Sequence, residues 1–385
     1  MKTVLLVSRY NWDTSAEVPY IFNKAGFKIA IYCPASSWLS YNSYYHSHYV
    51  APEEEESFLS QLEYLLKEHK FDWVILTEDP LIDLIKRKIH QVGLFLEILP
   101  IKNSLAFDIL SSKIGFSKYF QSIGIPTPSF KSYINGRDVI ESLSSLNFPV
   151  LNKYELSWGG TDISISQDMG QLELKLKTIS PNATLLIQEY IDGEEIRVDA
   201  LFNNGILLNL FCSKVLSNTK DRFSYTTRRS YYEDPKLIEL VSLIGEKVVA
   251  HGFANITLIR EYKSGIDYLI EMDMRPNSWM AYSEYLSDYH FVYCLHNLNN
   301  PARLDFQKAK LKKNRPIELA LFYKDIRRAI WSKDVKGVIR WFLGFNGYWK
   351  FLPLYDRKLF KKIIKEIWEE IGKYKLNKVK QKFRR

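Results

Sequence analysis

Two acids one residue apart in a strand-like run are the sharpest chemical feature of this sequence. In LIEMD (269–273), Glu271 and Asp273 alternate with apolar Ile270 and Met272, so an extended backbone puts both carboxylates on one face. Converging carboxylates repel unless a cation lies between them. All-oxygen ligands favour Mg²⁺, which keeps waters and shares phosphate oxygens with its substrate. Arg275 follows in MRPNS and brings a guanidinium beside the acids. Lys263-Ser264-Gly265 reads as the loop of a hairpin whose pairing sets Thr257 opposite Glu271 and Asn255 opposite Asp273, with a bulge able to move the register by one.

Two lysines form a second group. Lys113 opens a helix, and Lys153 lies mid-strand after FPVLN, directly ahead of a Ser157-Trp158-Gly159-Gly160 bend. Glycine bends let backbone N–H groups approach phosphate, and a lysine adds a point charge. A third group is QEYIDGEE (188–195), where a strand runs into an Asp-Gly turn and Glu195 is placed to reach a ribose hydroxyl. The polar segment 217–230 holds Arg222, Arg228 and Arg229, suited either to bidentate binding of a carboxylate or phosphate, or to an exposed loop. Glu78 and Asp79 directly follow the strand run 73–77. They either touch a substrate there or cap the helix begun at Asp79-Pro80.

The elements that must carry these residues follow from periodicity. Runs 4–8, 27–33 and 73–77 alternate with helical stretches near 54–69 and 80–91, which predicts a parallel α/β domain over 1–103. Residues 104–123 read as helix, ending in the breaker cluster GIPTP. Strand runs then cover 148–165, 184–191, 194–202, 205–216, 255–261 and 267–273, with a helix over 235–250. This second region, 104–305, divides at 188/189 into two α+β parts. A mostly helical extension fills 306–385.

In order and spacing, Lys113, Lys153, the SWGG bend, QEYIDGEE and LIEMDMRPN together resemble the ATP-grasp superfamily of carboxylate–amine ligases, over about residues 104–280. The resemblance implies a pre-grasp α/β domain, then two subdomains with ATP between them and Mg²⁺ (or Mn²⁺) as the metal. It implies that Lys113 and Lys153 hold phosphates while Ser157, Trp158, Gly159 and Gly160 close over them. Gln188 would meet the adenine amino group, Glu189, Tyr190 and Ile191 would form a main-chain hinge, and Glu195 would bind ribose. Lys214 would reach the γ-phosphate, Glu271 and Asp273 would hold metal, and Arg275, with Arg228, would serve the reacting carboxylate. The implied reaction is ADP-forming: ATP makes an acylphosphate from a small-molecule or peptide carboxylate, and an amine displaces phosphate. Two departures stand out. Asp273 replaces the usual Asn, and Thr257 stands where relatives have an acid or Gln ligand. The second leaves room for a nucleotide-binding protein without catalysis.

Composition bounds the rest. With 46% hydrophobic and 25% charged residues, the chain suits two or three folded domains. Cys33, Cys212 and Cys294 have no paired spacing, which argues for a reducing cytoplasm and against disulfide or zinc frameworks. The N-terminus is too briefly apolar for a signal peptide, and no run is long enough to span a bilayer. The net charge of +9 is uneven: residues 306–385 hold 24 Lys+Arg against 7 Asp+Glu, leaving the rest acidic. No nucleic-acid-reading motif accompanies that tail. In it, Leu359, Phe360, Ile363, Ile364, Ile367, Trp368 and Ile371 share a helical face. Three uses are open for this face: packing on the acidic body, lying peripherally on the inner face of a membrane, or meeting an acidic partner.

Overall fold

The computed structural model describes residues 2–156, 163–221, 223–298, 304, 310–343 and 351–382, without side chains at 370, 371 and 373–382. Strands β1 (Thr3–Val7), β2 (Lys28–Cys33), β3 (Ser47–Val50) and β4 (Trp73–Leu76) form a parallel sheet in the order β3-β2-β1-β4. Helices α1 (Val18–Lys24), α2 (Glu55–Glu68), α3 (Asp79–Lys88) and α4 (Leu94–Ile98) accompany it. Val4 and Leu6 face a core shared with α1, whereas Leu5 and Val7 face one shared with α2 and α3. A sheet buried on both faces explains the unbroken apolar run of β1. Strand order reverses between β1 and β4, and such switch points open a crevice beyond the strands' carboxyl ends.

Helix α5 (Lys113–Ser122) starts afresh after a short 3-10 turn at Ser104–Leu110, because the Ser112 hydroxyl accepts from the Gly115 N–H at 2.6 Å. The stretch 104–123 is therefore two pieces. Strands β5 (Phe130–Ile134), β6 (Val150–Tyr154), β7 (Ser164–Ser166) and β8 (Thr184–Glu189) make an antiparallel sheet, β5-β8-β6-β7. Helix α6 (Met169–Leu176) covers it through Leu172 and Leu176.

A six-stranded sheet follows, from β9 (Gly193–Asn203), β10 (Ile206–Asn218), β11 (Thr226–Tyr232), β12 (Gly252–Glu261), β13 (Asp267–Asp273) and β14 (Ile317–Ala320). Its order is β13-β12-β9-β10-β11-β14, and α7 (Pro235–Val248) packs on one face. Asn204 and Gly205, with φ of 48° and 85°, make the tight turn between β9 and β10. Gly193 opens β9 where a Cβ would collide with the Arg260 carbonyl, so only glycine lets the strands approach there.

After α8 (Phe291–His296) the chain adds β14 to the sheet edge beside β11, then α9 (Phe322–Trp331), α10 (Val335–Phe342) and α11 (Arg357–Lys382). Leu359, Ile363 and Ile367 are buried in the same core as Trp38 and Leu39. Lys358 donates to the Ser40 carbonyl at 2.6 Å, and the Ser43 N–H donates to Asp356 at 2.5 Å. This part of the amphipathic face is thus covered by the N-terminal domain, not by lipid. Among the described residues no helix is long and apolar enough to cross a membrane.

Candidate active site

A cleft of about 300 Å³ lies between the four-stranded and six-stranded sheets, and the N-terminal domain closes one end. Ten residues to which the resemblance gives a role line it, namely Lys113, Lys153, Gln188, Glu189, Tyr190, Ile191, Glu195, Glu271, Asp273 and Arg275, and with them Asp79, Arg229, Asn255 and Thr257. Alternation along the strands explains the convergence. On β9 the even residues Ile196, Val198 and Ala200 enter the core, so Glu195 and Arg197 face the cleft. Across from them β12 presents Asn255 and Thr257, and β13 presents Glu271 and Asp273. Thr257 pairs with Glu271 and Asn255 with Asp273; a bulge follows between Thr257 and Leu258.

The two lysines are held together by a residue that sequence reasoning missed. Glu155, two beyond Lys153, accepts from the Ser112 hydroxyl and from the Ile114 N–H (3.0 Å), fixing the start of α5. The Lys113 ammonium donates to the Glu155 carbonyl at 3.1 Å. No local pattern marks Glu155, because its partners lie about forty residues away. Lys153 donates to Gln188 Oε1 at 2.7 Å. Burial pushes its ammonium down to about 8, although Glu271 favours the charged form. Burial also lowers Lys113.

At the nucleotide-sized end, Leu151, Leu186, Ile191 and Ile259 supply apolar walls. The Glu189 and Tyr190 N–H groups donate to the Ser129 and Pro149 carbonyls at 2.8 and 2.9 Å. Both N–H groups are thus taken up by the protein's own backbone. Glu195 accepts from Arg197 Nε at 2.7 Å.

At the acidic end, repulsion from Asp273 raises Glu271, whose side chain is half-exposed in the cleft. Arg275 answers this charge, with Nη2 3.0 Å from Asp273 Oδ2 and Nε 2.6 Å from Asp79 Oδ2. Its guanidinium also lies over Trp12, 5.1 Å from the ring centre. Asp79 is therefore in the cleft, and burial together with Asp273 pushes its carboxyl up despite Arg275. Glu78 does something else. Fully buried, it accepts from Ser8 Oγ and the N–H groups of Arg9, Tyr10 and Trp12 at 2.7–3.0 Å. It thereby shapes the loop that brings Trp12 and Thr14 to the cleft.

Two expectations fail. Lys214 projects from the far face of the sheet, where it pairs with Glu194 at 2.8 Å and sits over Tyr232. The tight turn alone would set it opposite Glu195. A bulge between Leu207 and Asn209 moves its partner to Ile196 and reverses its side. Arg228 does not line the cleft either. It forks onto Asp325 of α9, Nη2–Oδ2 2.8 Å and Nε 3.0 Å from both oxygens. Its neighbour Arg229 lines the cleft instead, 3.2 Å from both Asp199 oxygens and 4.5 Å from the Trp279 ring centre. Ser157, Trp158, Gly159, Gly160 and Arg222 lie outside the described residues.

The extension beyond 306 also reaches the site. Leu321 and Lys324 line the cleft. Lys324 is buried, 3.4 Å from Asp13 and over Tyr225, 4.4 Å from its ring centre.

The donor chemistry fits a divalent cation at Glu271 and Asp273. Besides these acids, Asn255 contributes a buried Oδ1 with no hydrogen-bond partner. No group of three His, Cys, Asp or Glu that could hold a metal occurs among the described residues.

Residues 110–278 match the ATP-grasp domain family. This segment is an ATP-grasp domain. Carbamoyl-phosphate synthase of Methanobrevibacter smithii is 29% identical over 103 residues, 27% of either chain. D-alanine–D-alanine ligase of Marinomonas sp. is 30% identical over 102 residues, 25% of this chain and 31% of that one. The chain thus matches less than a third of these relatives' length. The ATP-grasp fold extends further. N5-carboxyaminoimidazole synthetase of Staphylococcus aureus, complexed with ADP, superposes with a TM-score of 0.62 at 15% identity over 86% of both chains. L-amino acid ligase of Bacillus licheniformis gives 0.57 at 17% identity, over 83% of this chain and 80% of that one. The likeness in fold therefore takes in the N-terminal parallel sheet as well.

Proposed function

We propose that this chain is an ADP-forming ligase that uses ATP to activate a carboxylate as its acylphosphate and joins it to an amine. The observation that carries the reading is the convergence of a buried lysine, a half-buried one, an acid pair and a paired arginine in one cleft of an ATP-grasp domain. Lys113 and Lys153 hold the phosphates and spread their charge during in-line transfer. Gln188 and the 189–191 backbone hold the base, and Glu195 the ribose. Glu271 and Asp273 would hold a divalent cation, which would supply Lewis-acid charge at the phosphoryl oxygens. Arg275, fixed by Asp79 and Asp273, orients the reacting carboxylate. Burial raises the Asp79 carboxyl, so its ionised form is a stronger base than an ordinary aspartate and can take the proton the amine must lose. The relatives named for amino-acid and D-alanine ligation support small carboxylate and amine substrates. Ser157 to Gly160 would exclude water from the acylphosphate.

Screening ADP and phosphate release against pooled carboxylates and amines tests this. Turnover is expected with one pair, and Lys153→Ala and Glu271→Ala are each expected to abolish it. Wild-type-like turnover in both variants would sink the assignment. Thr257, which carries a guanidinium in place of an acid ligand, favours a second reading: a nucleotide-binding protein without turnover. ATP binding by calorimetry with no ADP formed across the panel would favour it.

A further inference from the structure

The floor of the cleft has two features that the acid pair alone does not explain. Asn255 is only 7% exposed, and its Nδ2 faces Asp273 Oδ2 at 3.4 Å. That contact fixes which end of the amide points at the acid. It leaves Oδ1 buried and without a hydrogen-bond partner, on a residue that lines the cleft. An orphaned amide oxygen beside two carboxylates is the kind of hard donor that Mg²⁺ and Mn²⁺ accept.

The second feature is Arg197. It is the register partner of Thr257 on β9, as Glu271 is on β13, so the three residues lie abreast across the sheet. Arg197 Nη1 donates to Thr257 Oγ1 at 2.6 Å, Nε donates to Glu195 at 2.7 Å, and Nη1 lies 4.0 Å from Glu271 Oε2. A guanidinium so placed repels a cation on the Thr257 side of Glu271, and Thr257 offers no carboxylate to offset it. On the other side, Arg275 lies 3.0 Å from Asp273 Oδ2, but there Asp273 supplies a second carboxylate and Asn255 an amide oxygen, where the Thr257 side supplies neither.

We propose that this centre takes one divalent cation, held by Glu271, Asp273 and Asn255 Oδ1, and that Arg197 is a resident positive charge in place of a second. The inference rests on the nucleotide-binding reading above. It adds a ligand and a stoichiometry to it.

The test uses the full chain, ADP, and Mn²⁺ as the probe, with free Mn²⁺ read by electron paramagnetic resonance and ADP binding read separately by calorimetry. At saturating ADP one Mn²⁺ per chain is expected. Asn255→Leu should weaken Mn²⁺ about tenfold, the low end for losing a group that supports a metal, with metal-free ADP affinity unchanged. Asn255→Asp should tighten Mn²⁺, which a merely structural asparagine would not do. Arg197→Gln combined with Thr257→Glu should raise the stoichiometry to two. Two Mn²⁺ in the wild type would overturn the inference, as would unchanged Mn²⁺ affinity in both Asn255 variants. Those results would leave ADP binding intact, whereas absence of ADP binding would overturn the nucleotide reading and this inference together.

Discussion

Lys153 should make nucleotide binding take up a proton. Its ammonium is buried, with pKa pushed down to about 8, so at pH 8 about half of the chains hold it neutral. A phosphate placed against Nζ favours the charged form and returns the pKa toward its ordinary value of about 10.4. The sign follows: the free protein binds fewer protons than the complex between these two values. Uptake should therefore be near zero at pH 6, about 0.5 proton at pH 8 and about 0.9 at pH 9. By linkage, ADP affinity should fall about tenfold from pH 7 to pH 9. The groups facing Nζ are Glu271, Lys113 and Gln188. Lys113, lowered by burial, adds uptake toward the alkaline end. Calorimetry with metal-free ADP, in buffers of different ionisation enthalpy, measures the proton count. Lys153→Met should bind ADP more weakly and lose the uptake at pH 8. Zero uptake in the wild type at pH 8, or the same uptake in Lys153→Met, would refute the reasoning.

Two further perturbations concern the extension. Lys324→Met should raise KM for one of the two substrates at least tenfold while leaving ADP affinity within twofold, as read by steady-state kinetics and calorimetry; an unchanged KM for both would remove Lys324 from the site. Asp325→Ala should cost about 3–5 kcal/mol in urea unfolding, the usual loss when a buried ion pair is broken by removing one partner. Fully buried Asp325 accepts from Arg228, from Arg328 at 2.9 Å, from Trp341 at 2.6 Å and from Thr227 at 3.0 Å. A loss below about 1 kcal/mol, the range of exposed pairs, would mean the cluster is not a structural hub.

Much of the architecture was legible because it rests on local periodicity. The alternation of β13 put both acids on one face; next to the loop the pairing is one residue off the expected register, Arg260 meeting Asp267, and the bulge between Thr257 and Leu258 restores Thr257 opposite Glu271 and Asn255 opposite Asp273. What escaped depends on irregularity or distance. The bulge in β10 falls in ILLNL, where either side of the strand is apolar, so nothing in the sequence says which residue is extra. One such residue carries Lys214 out of the cleft. Arg228 and Arg229 are adjacent and point to opposite sides, so composition finds both and register alone chooses between them. Strand β3, SHYV, is a short, mostly half-exposed edge strand with no apolar run to announce it.

The charge partition illustrates the same point at larger scale. Residues 306–385 carry the whole of the basic excess, which invites the view that they stand apart from the chemistry. Folding overrides that. Strand β14 extends the sheet that holds the acids, and α9 starts at once beyond it, so Lys324 reaches the cleft while Asp325 ties the same turn to Arg228 and Thr227 on β11. One residue supplies a charge to the cavity, and the next fixes the helix that delivers it. Helix α11 then returns to the N-terminal domain, so the extension bridges both ends of the molecule. Deleting residues from 306 would remove a sheet edge, a cleft wall and a domain clamp together. Loss of activity in such a truncation would therefore say nothing about location in the cell, whereas the single change at Lys324 isolates the contribution to the site.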